Sequence, residues 1–351
     1  ITAFETRITK LEGGIASVAC SSGMAALSNA LLTILQSGDE IISSASLYGG
    51  TIDFFRDIKA FGITTRYVEN NNWEQVESAF NEHTKVVFAE TIGNPGLDVT
   101  DIEKLAEIAH AHGVPLIVDN TTATPFLIKV LDFGADIVVN SSSKYINGSS
   151  NSISGVLTDS GKFKWTKEKY PILEEYIKFG PFAYIAKMRA GLFRNVGTCL
   201  SPMNAYLNVI GMETLGLRME RQCENALRLA TYLEEQYPEI KVNYPGLASS
   251  PYHTIAKRQL HKGYGAIFTL RVGSKERAFE LINNLEIPYT LSNIGDTKTL
   301  VIHPGSTISL HSTEKEKEDA GVTDDLIRVS VGIEDVEDLI DDFKQAIDRL
   351  K

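Results

Sequence analysis

From Asp39 to Lys144 the chain repeats one rhythm, a short β-branched run that opens into a polar loop and is followed by a helix-length segment. DEIISSASLYGG, TKVVFAET, VPLIVDNTTATP and ADIVVNSSSK each read as a strand entering such a loop. Between the second and third, DIEKLAEIAHAHG places Ile102, Leu105, Ile108 and Ala109 on one helical face and closes at Gly113. Strands that alternate with amphipathic helices demand a mostly parallel sheet with helices on both faces, because parallel neighbours need a crossover. The expected class is therefore α/β. No apolar run has the length of a membrane span, and neither fixed-period repeats nor low-complexity tracts interrupt the pattern.

Open α/β sheets bind ligands in the crevice beyond the carboxyl ends of their strands. Tyr48, Asn94, Asp119 and Lys144 stand at four such ends. One polar residue past a strand is commonplace, whereas one past each of several neighbours describes a crevice site. Lys144 sits in a Ser-rich loop that runs on to Gly148 and Gly155, and taken alone it reads more simply as an ordinary surface lysine. Upstream, Ser21-Ser22-Gly23 precedes a run with Leu27, Ala30, Leu31 and Ile34 on one face. That is a helix start whose free N–H groups and dipole suit an anion, and equally a plain N-cap.

A formal net charge of −11 argues against a nucleic-acid backbone or an anionic membrane as partner, so small-molecule substrates are expected. Cys20, Cys199 and Cys223 are odd in number, widely spaced and without metal-like neighbours. They read as free thiols of a reducing compartment and, with no signal pattern at the first residues, imply a cytoplasmic location. Ile1, Phe4, Ile8 and Leu11 make an amphipathic first helix closed by Gly13-Gly14, and its bare start reads as truncated.

From Pro202 one long helical pattern reaches Tyr237, with a bend expected at Gly211 or Gly216, and the rest reads as a smaller α+β unit. The expected division is 1–212 and 213–351. TEKEKEDAG, Thr313 to Gly321, reads as a solvated charged loop. Arg328 stands between Ile327 and Val329 in an otherwise apolar strand, where a guanidinium must meet either a structural carboxylate or a ligand anion.

The segments SSGMAAL, LYGGT, ETIGNPGLDVTDI, VDNTTATP, SSSKYINGS, LSPMNAYL, ETLGLRMERQCENA, GDTKTLVIHP and IRVSVGIEDVEDL follow one another along the whole chain. In that order they resemble the Cys/Met-metabolism family of pyridoxal 5′-phosphate (PLP) enzymes, with the aspartate-aminotransferase fold. The resemblance is best to its O-acetylhomoserine sulfhydrylase branch. It implies a large PLP-binding domain, a smaller C-terminal domain and a homotetramer, a dimer of dimers with shared active sites. Lys144 would carry the cofactor covalently and move protons, and Tyr48 would stack on the ring and assist catalysis. Asp119 would face the pyridine nitrogen, Asn94 the ring hydroxyl, and Ser22, Gly23, Met24, Thr121, Ser141 and Ser143 the phosphate side. Asn293 and Arg328 would bind substrate, Arg328 by its α-carboxylate.

The implied activity is PLP-dependent γ-replacement: O-acetyl-L-homoserine and sulfide, or a small thiol, give homocysteine, or its thioether, and acetate. Cystathionine γ-lyase, methionine γ-lyase and cystathionine γ-synthase are rivals within the family. Methionine γ-lyases typically carry Cys two residues after the stacking tyrosine, where this chain has Gly50. A nicotinamide-dependent oxidoreductase would need a G-x-G-x-x-G that is absent, and a non-catalytic scaffold would not need Lys144, Asp119, Tyr48 and Arg328. Three departures stand out. Ser143 replaces the usual Thr; Ser149-Ser150-Asn151 follow Gly148 where many members have His, so that loop is assigned no catalytic role; and HPGST leaves Ser306 and Thr307 without one. A fourth departure, the largest, is at the start: the family's Tyr-x-Arg element, which reaches a neighbouring subunit's phosphate, is missing from this sequence, which begins at what reads as the residue after that point.

Overall fold

The chain is described by a computed structural model covering residues 1–310 and 312–350. His311 and Lys351, the latter the final residue of the expected smaller unit, lie outside the described residues. The first sheet comprises β1 Ala16–Cys20, β2 Glu40–Ser44, β3 Thr64–Val68, β4 Thr84–Glu90, β5 Leu116–Asp119, β6 Ile137–Asn140 and β7 Gly155–Asp159. Its strand order is β1-β7-β6-β5-β4-β2-β3. β3, β2, β4, β5 and β6 are parallel, while β7 is antiparallel to both β6 and β1. β1 therefore runs in the same direction as β6, and both end at the start of β7. The carboxyl ends of β1, β2, β4, β5 and β6 share one edge.

The interior strands are buried on both faces, as crossover helices require. Ile42, Val87, Leu116, Val118 and Val138 belong to one apolar layer, with the helix Ile102–Ala111. Ile41, Val86, Phe88, Ile117 and Val139 belong to the other, with the helix Gly23–Leu32. Asp101 caps the first helix and Ser22 the second, each accepting a backbone N–H three residues on; such caps contribute about 1 kcal/mol apiece.

The second sheet is β10 Tyr289–Thr290, β11 Leu300–Ile302, β12 Leu326–Ser330, β9 Ile267–Arg271 and β8 Lys241–Asn243, in that order across the sheet. The terminal helix Val336–Asp348 covers it with Leu339, Phe343, Ala346 and Ile347.

Three expectations are corrected. The long helical pattern is two helices, Pro202–Glu213 and Leu215–Gln236, and the break falls at Thr214, between the two glycines expected to bend it. There Arg218 donates to the Thr214 hydroxyl and the Gly211 carbonyl. Gly211 serves close packing instead, since a Cβ there would lie 2.3 Å from the Asn147 carbonyl oxygen. The charged loop holds a short helix, Glu314–Asp319, because Thr313 and Glu316 form a reciprocal capping box. The first helix spans Thr2–Glu12 and buries Glu12, with Leu11 more exposed, beside Phe4 and Ile8.

Candidate active site

The shared strand edge opens onto a cavity of about 500 Å³. Every residue singled out from the sequence lines it: Ser22, Gly23 and Met24 after β1, Tyr48 after β2, Asn94 after β4, Asp119 and Thr121 at the end of β5, and Ser141, Ser143 and Lys144 after β6. The second sheet contributes Arg328 from β12 and Asn293 from the segment between β10 and β11.

At one wall the helix Gly23–Leu32 begins against Ser141. A Cβ on Gly23 would stand 2.6 Å from Ser141 Cβ, so only glycine leaves this approach open. The first N–H groups of a helix have no carbonyl four residues behind them, and the Ser22 hydroxyl takes only that of Ala25. The result is a backbone cradle with anion-binding polarity. Thr121 reinforces it: its N–H donates to Asp119 at 2.8 Å while its hydroxyl accepts the Ser141 N–H at 2.8 Å. Ser143 donates its hydroxyl to the Ser154 carbonyl and accepts the Ser154 N–H, which pins the loop carrying Lys144.

On the floor Glu90 and Asp119 are paired across β4 and β5. Burial, and then the Asp119 carboxylate, push Glu90 well above the usual carboxyl range, and burial raises Asp119 too. Asp119 forms no ion pair among the described residues. Glu90 accepts the Tyr48 N–H at 2.6 Å, at the start of the helix Gly49–Ile58, where a carboxyl group also meets the positive end of the helix dipole. A Cβ on Gly50 would lie 2.5 Å from Tyr48 Cε1, so the glycine leaves room for the ring.

Burial, then the Arg328 charge, lower the Lys144 amine to about 8. That amine donates to Asn293 Oδ1. Arg328 donates to Asn94 Oδ1 at 3.1 Å and to the Asn293 carbonyl at 3.0 Å, and its buried Nε has no partner. Neither partner is a carboxylate, so no structural ion pair holds Arg328 among the described residues. The guanidinium is held by neutral groups, and burial lowers it to about 10.

Residues 1–348 match the family described as Cys/Met metabolism PLP-dependent enzyme. The chain belongs to that family. It is 44 % identical over 361 residues to a homocysteine synthase of Schizosaccharomyces pombe, covering 98 % of this chain and 84 % of that relative. Among solved structures it is similar to the O-acetylhomoserine sulfhydrylase of Wolinella succinogenes, at 40 % identity and a TM-score of 0.88, covering 99 % of this chain and 96 % of that one. It is similar also to an O-acetylhomoserine (thiol)-lyase of Campylobacter jejuni whose structure carries N′-pyridoxyl-lysine-5′-monophosphate. There the identity is 33 % and the TM-score 0.92, over 98 % of this chain and 85 % of the other. The chain is thus a PLP-dependent enzyme with the mostly parallel sheet and smaller second sheet of its fold class.

The cavity fits the family's cofactor on its own chemistry. It offers an amine of lowered basicity, a half-buried carboxylate that lacks a cation, and a backbone cradle that any side chain at Gly23 would fill.

Sequence reasoning missed Glu90, Ser150 and Ser152, which also line the cavity. Glu90 was legible as the last residue of an apolar run, in the same position as Asp119 on the next one. Ser150 belongs to the loop assigned no role, and it has a left-handed backbone, φ 52°.

Proposed function

We propose that this enzyme catalyses γ-replacement on O-acetyl-L-homoserine, using sulfide or a small thiol to give L-homocysteine, or its thioether, and acetate. The observation that carries this reading is the pairing of Lys144 with Arg328 in one cavity, a proton-transferring amine beside an unneutralised guanidinium. The similarity to a homocysteine synthase and to an O-acetylhomoserine sulfhydrylase supports it.

PLP, when bound, supplies the electron sink for negative charge developing on the substrate carbons. Lys144 would hold it, Asp119 would meet its ring nitrogen, and Asn94, whose oxygen is taken by Arg328, would have its amide N–H₂ left for the ring hydroxyl. Ser22, Gly23, Met24, Thr121, Ser141 and Ser143 would hold the phosphate. Arg328 grips the substrate α-carboxylate, with Nε and the two Nη donors forming the fork a carboxylate matches, and Asn293 braces it. An amine lowered to about 8 is neutral far more often near neutral pH than an ordinary lysine, so Lys144 Nζ takes protons from Cα and Cβ and returns them. Tyr48, also in the cavity wall, would pack on the ring and assist departure of acetate.

The division at 1–212 and 213–351 is proposed as that of the two domains, the cavity lying between them. A homotetramer with shared sites is supported by an exposed apolar stripe, Met203, Tyr206 and Ile210 at helical spacing on Pro202–Glu213, which Leu217 continues past the break at Thr214. Ile153 extends the stripe to the cavity wall. A cytoplasmic location is supported by three free thiols, and no described helix is long and apolar enough to cross a membrane.

Product analysis with O-acetylhomoserine, with and without sulfide, tests the function. Homocysteine and acetate formed in equal amounts, and only with sulfide, are expected. Ketoacid and ammonia released without sulfide would make the enzyme a lyase instead.

A further inference from the structure

The loop Gly148–Asn151, to which sequence gives no role, is tied to the reacting lysine by a chain of directed hydrogen bonds. The Lys144 amine donates to Asn293 Oδ1. Asn293 Nδ2 donates in turn to the Ser150 hydroxyl at 2.8 Å, and that hydroxyl donates to Asp296 Oδ2. Each link fixes the direction of the one before it. An ionised carboxylate only accepts, so Ser150 must give it its single proton and can only accept from Asn293. Asn293 must then present its N–H₂ to Ser150 and its oxygen to Lys144.

The far end of the chain is anchored firmly enough to impose this direction. Burial alone would raise Asp296, but the bonds from Ser150 and Lys298 together with the Lys298 charge hold it below the ordinary carboxyl range. Gln222 clamps the Asp296 carbonyl at 2.7 Å, and the Thr297 N–H binds the Gly148 carbonyl at 3.1 Å. The two loops are therefore fastened together. Ser150 pays for its place with a left-handed backbone that non-glycine residues avoid, and such strain persists only where surrounding contacts impose it.

We propose that Ser150 and Asp296 are positioning residues that fix the polarity of the Asn293 amide, keeping its oxygen turned to Lys144 so that the amine, whenever free, is received in one orientation. The proposal rests on the reading of Lys144 as the reacting amine. An Asn amide has ends alike in shape, and only hydrogen bonding chooses between them. Without the chain from Asp296, the N–H₂ end can turn to the lysine and oppose its charged form. The other titratable groups lining the cavity are Glu90 from β4, Asp119 from β5, Arg328 from β12 and Tyr48 after β2; of these Arg328 touches the chain of bonds, at the Asn293 main-chain carbonyl, and its charge acts on Lys144 in wild type and variants alike.

The test is the pH dependence of Lys144 acetylation by acetic anhydride in PLP-stripped protein, followed by peptide mass spectrometry, for wild type, Ser150→Ala, Asp296→Asn and the control Ser149→Ala. Wild type and Ser149→Ala should share one profile. Ser150→Ala and Asp296→Asn should shift it to lower pH, with about tenfold faster labelling near neutrality, as expected for the loss of a charge-assisted hydrogen bond. Ser150→Ala changes no charge and an exposed side chain, so it decides the matter even if Asp296→Asn does not fold. A Ser150→Ala profile superimposed on wild type, with Tm unchanged, overturns the proposal. Failure of the functional reading would show separately, as absence of acetate release by PLP-loaded wild type.

Discussion

Tyr48 and Gly50 show how a single absent atom group shapes this site. The Tyr48 ring occupies the space where a side chain at position 50 would begin, 2.5 Å from its Cε1. The obstructed atom belongs to a side chain free to swing, so a Gly50→Ala protein should fold normally while its tyrosine is displaced. We expect kcat to fall roughly ten- to a hundredfold, as misplacement of a group by about 1 Å typically costs, with Tm nearly unchanged. Steady-state kinetics beside a melting curve check this, and an unaltered kcat would mean that the ring position does not matter. At this scale the sequence was informative where a residue was chemically out of place. Arg328 among β-branched neighbours and Lys144 beyond a buried strand both announced themselves. Ser150 did not, because its importance lies in which bond it donates, and bond direction leaves no mark on composition.

At the scale of elements, the first helix is fastened to the sheet by a buried carboxyl. Asn140 on β6 donates to Glu12 Oε1 at 2.7 Å, while Glu12 Oε2 and Asn140 Oδ1 both lack partners. A proton on Oε2 would supply the missing donor for that pair. Burial pushes Glu12 up to about 8 from its ordinary 4.5. The folded chain thus holds this proton more tightly than the unfolded one, so the stability it contributes is full below about 4.5 and is lost as pH rises through about 8. Glu12→Gln, which carries a permanent donor, should be flatter in Tm between pH 6 and 9 and exceed wild type by several degrees at the alkaline end. Parallel melting curves for the two proteins would decide it, and identical pH dependence would show that Glu12 is not the titrating group. The elements legible in the sequence were those with long periodic patterns, such as Ile102–Ala111 and Val336–Asp348. β1 and β7 were not recognised, since ASVAC is short and Ala-rich and GVLTD has no clear alternation; only pairing across the sheet makes them strands.

For the whole molecule, the cavity depends on both sheets: one brings Lys144 and Asp119, the other Arg328 and Asn293. The strand-end reading could place the first set together from topology alone, but no sequence rule brings β12 to the same edge. The proposed assembly rests on the stripe through Leu217, which is 72 % exposed. Ile210→Glu with Leu217→Glu should leave each subunit folded yet reduce the particle mass measured by light scattering; an unchanged mass would move the interface elsewhere. Whether this cavity holds PLP on Lys144 is tested by borohydride reduction of the PLP-loaded protein followed by peptide mass spectrometry. A pyridoxyl-phosphate adduct on Lys144 is expected, with neither adduct nor homocysteine formation in Lys144→Ala. An adduct on another lysine, with homocysteine still formed by Lys144→Ala, would contradict it.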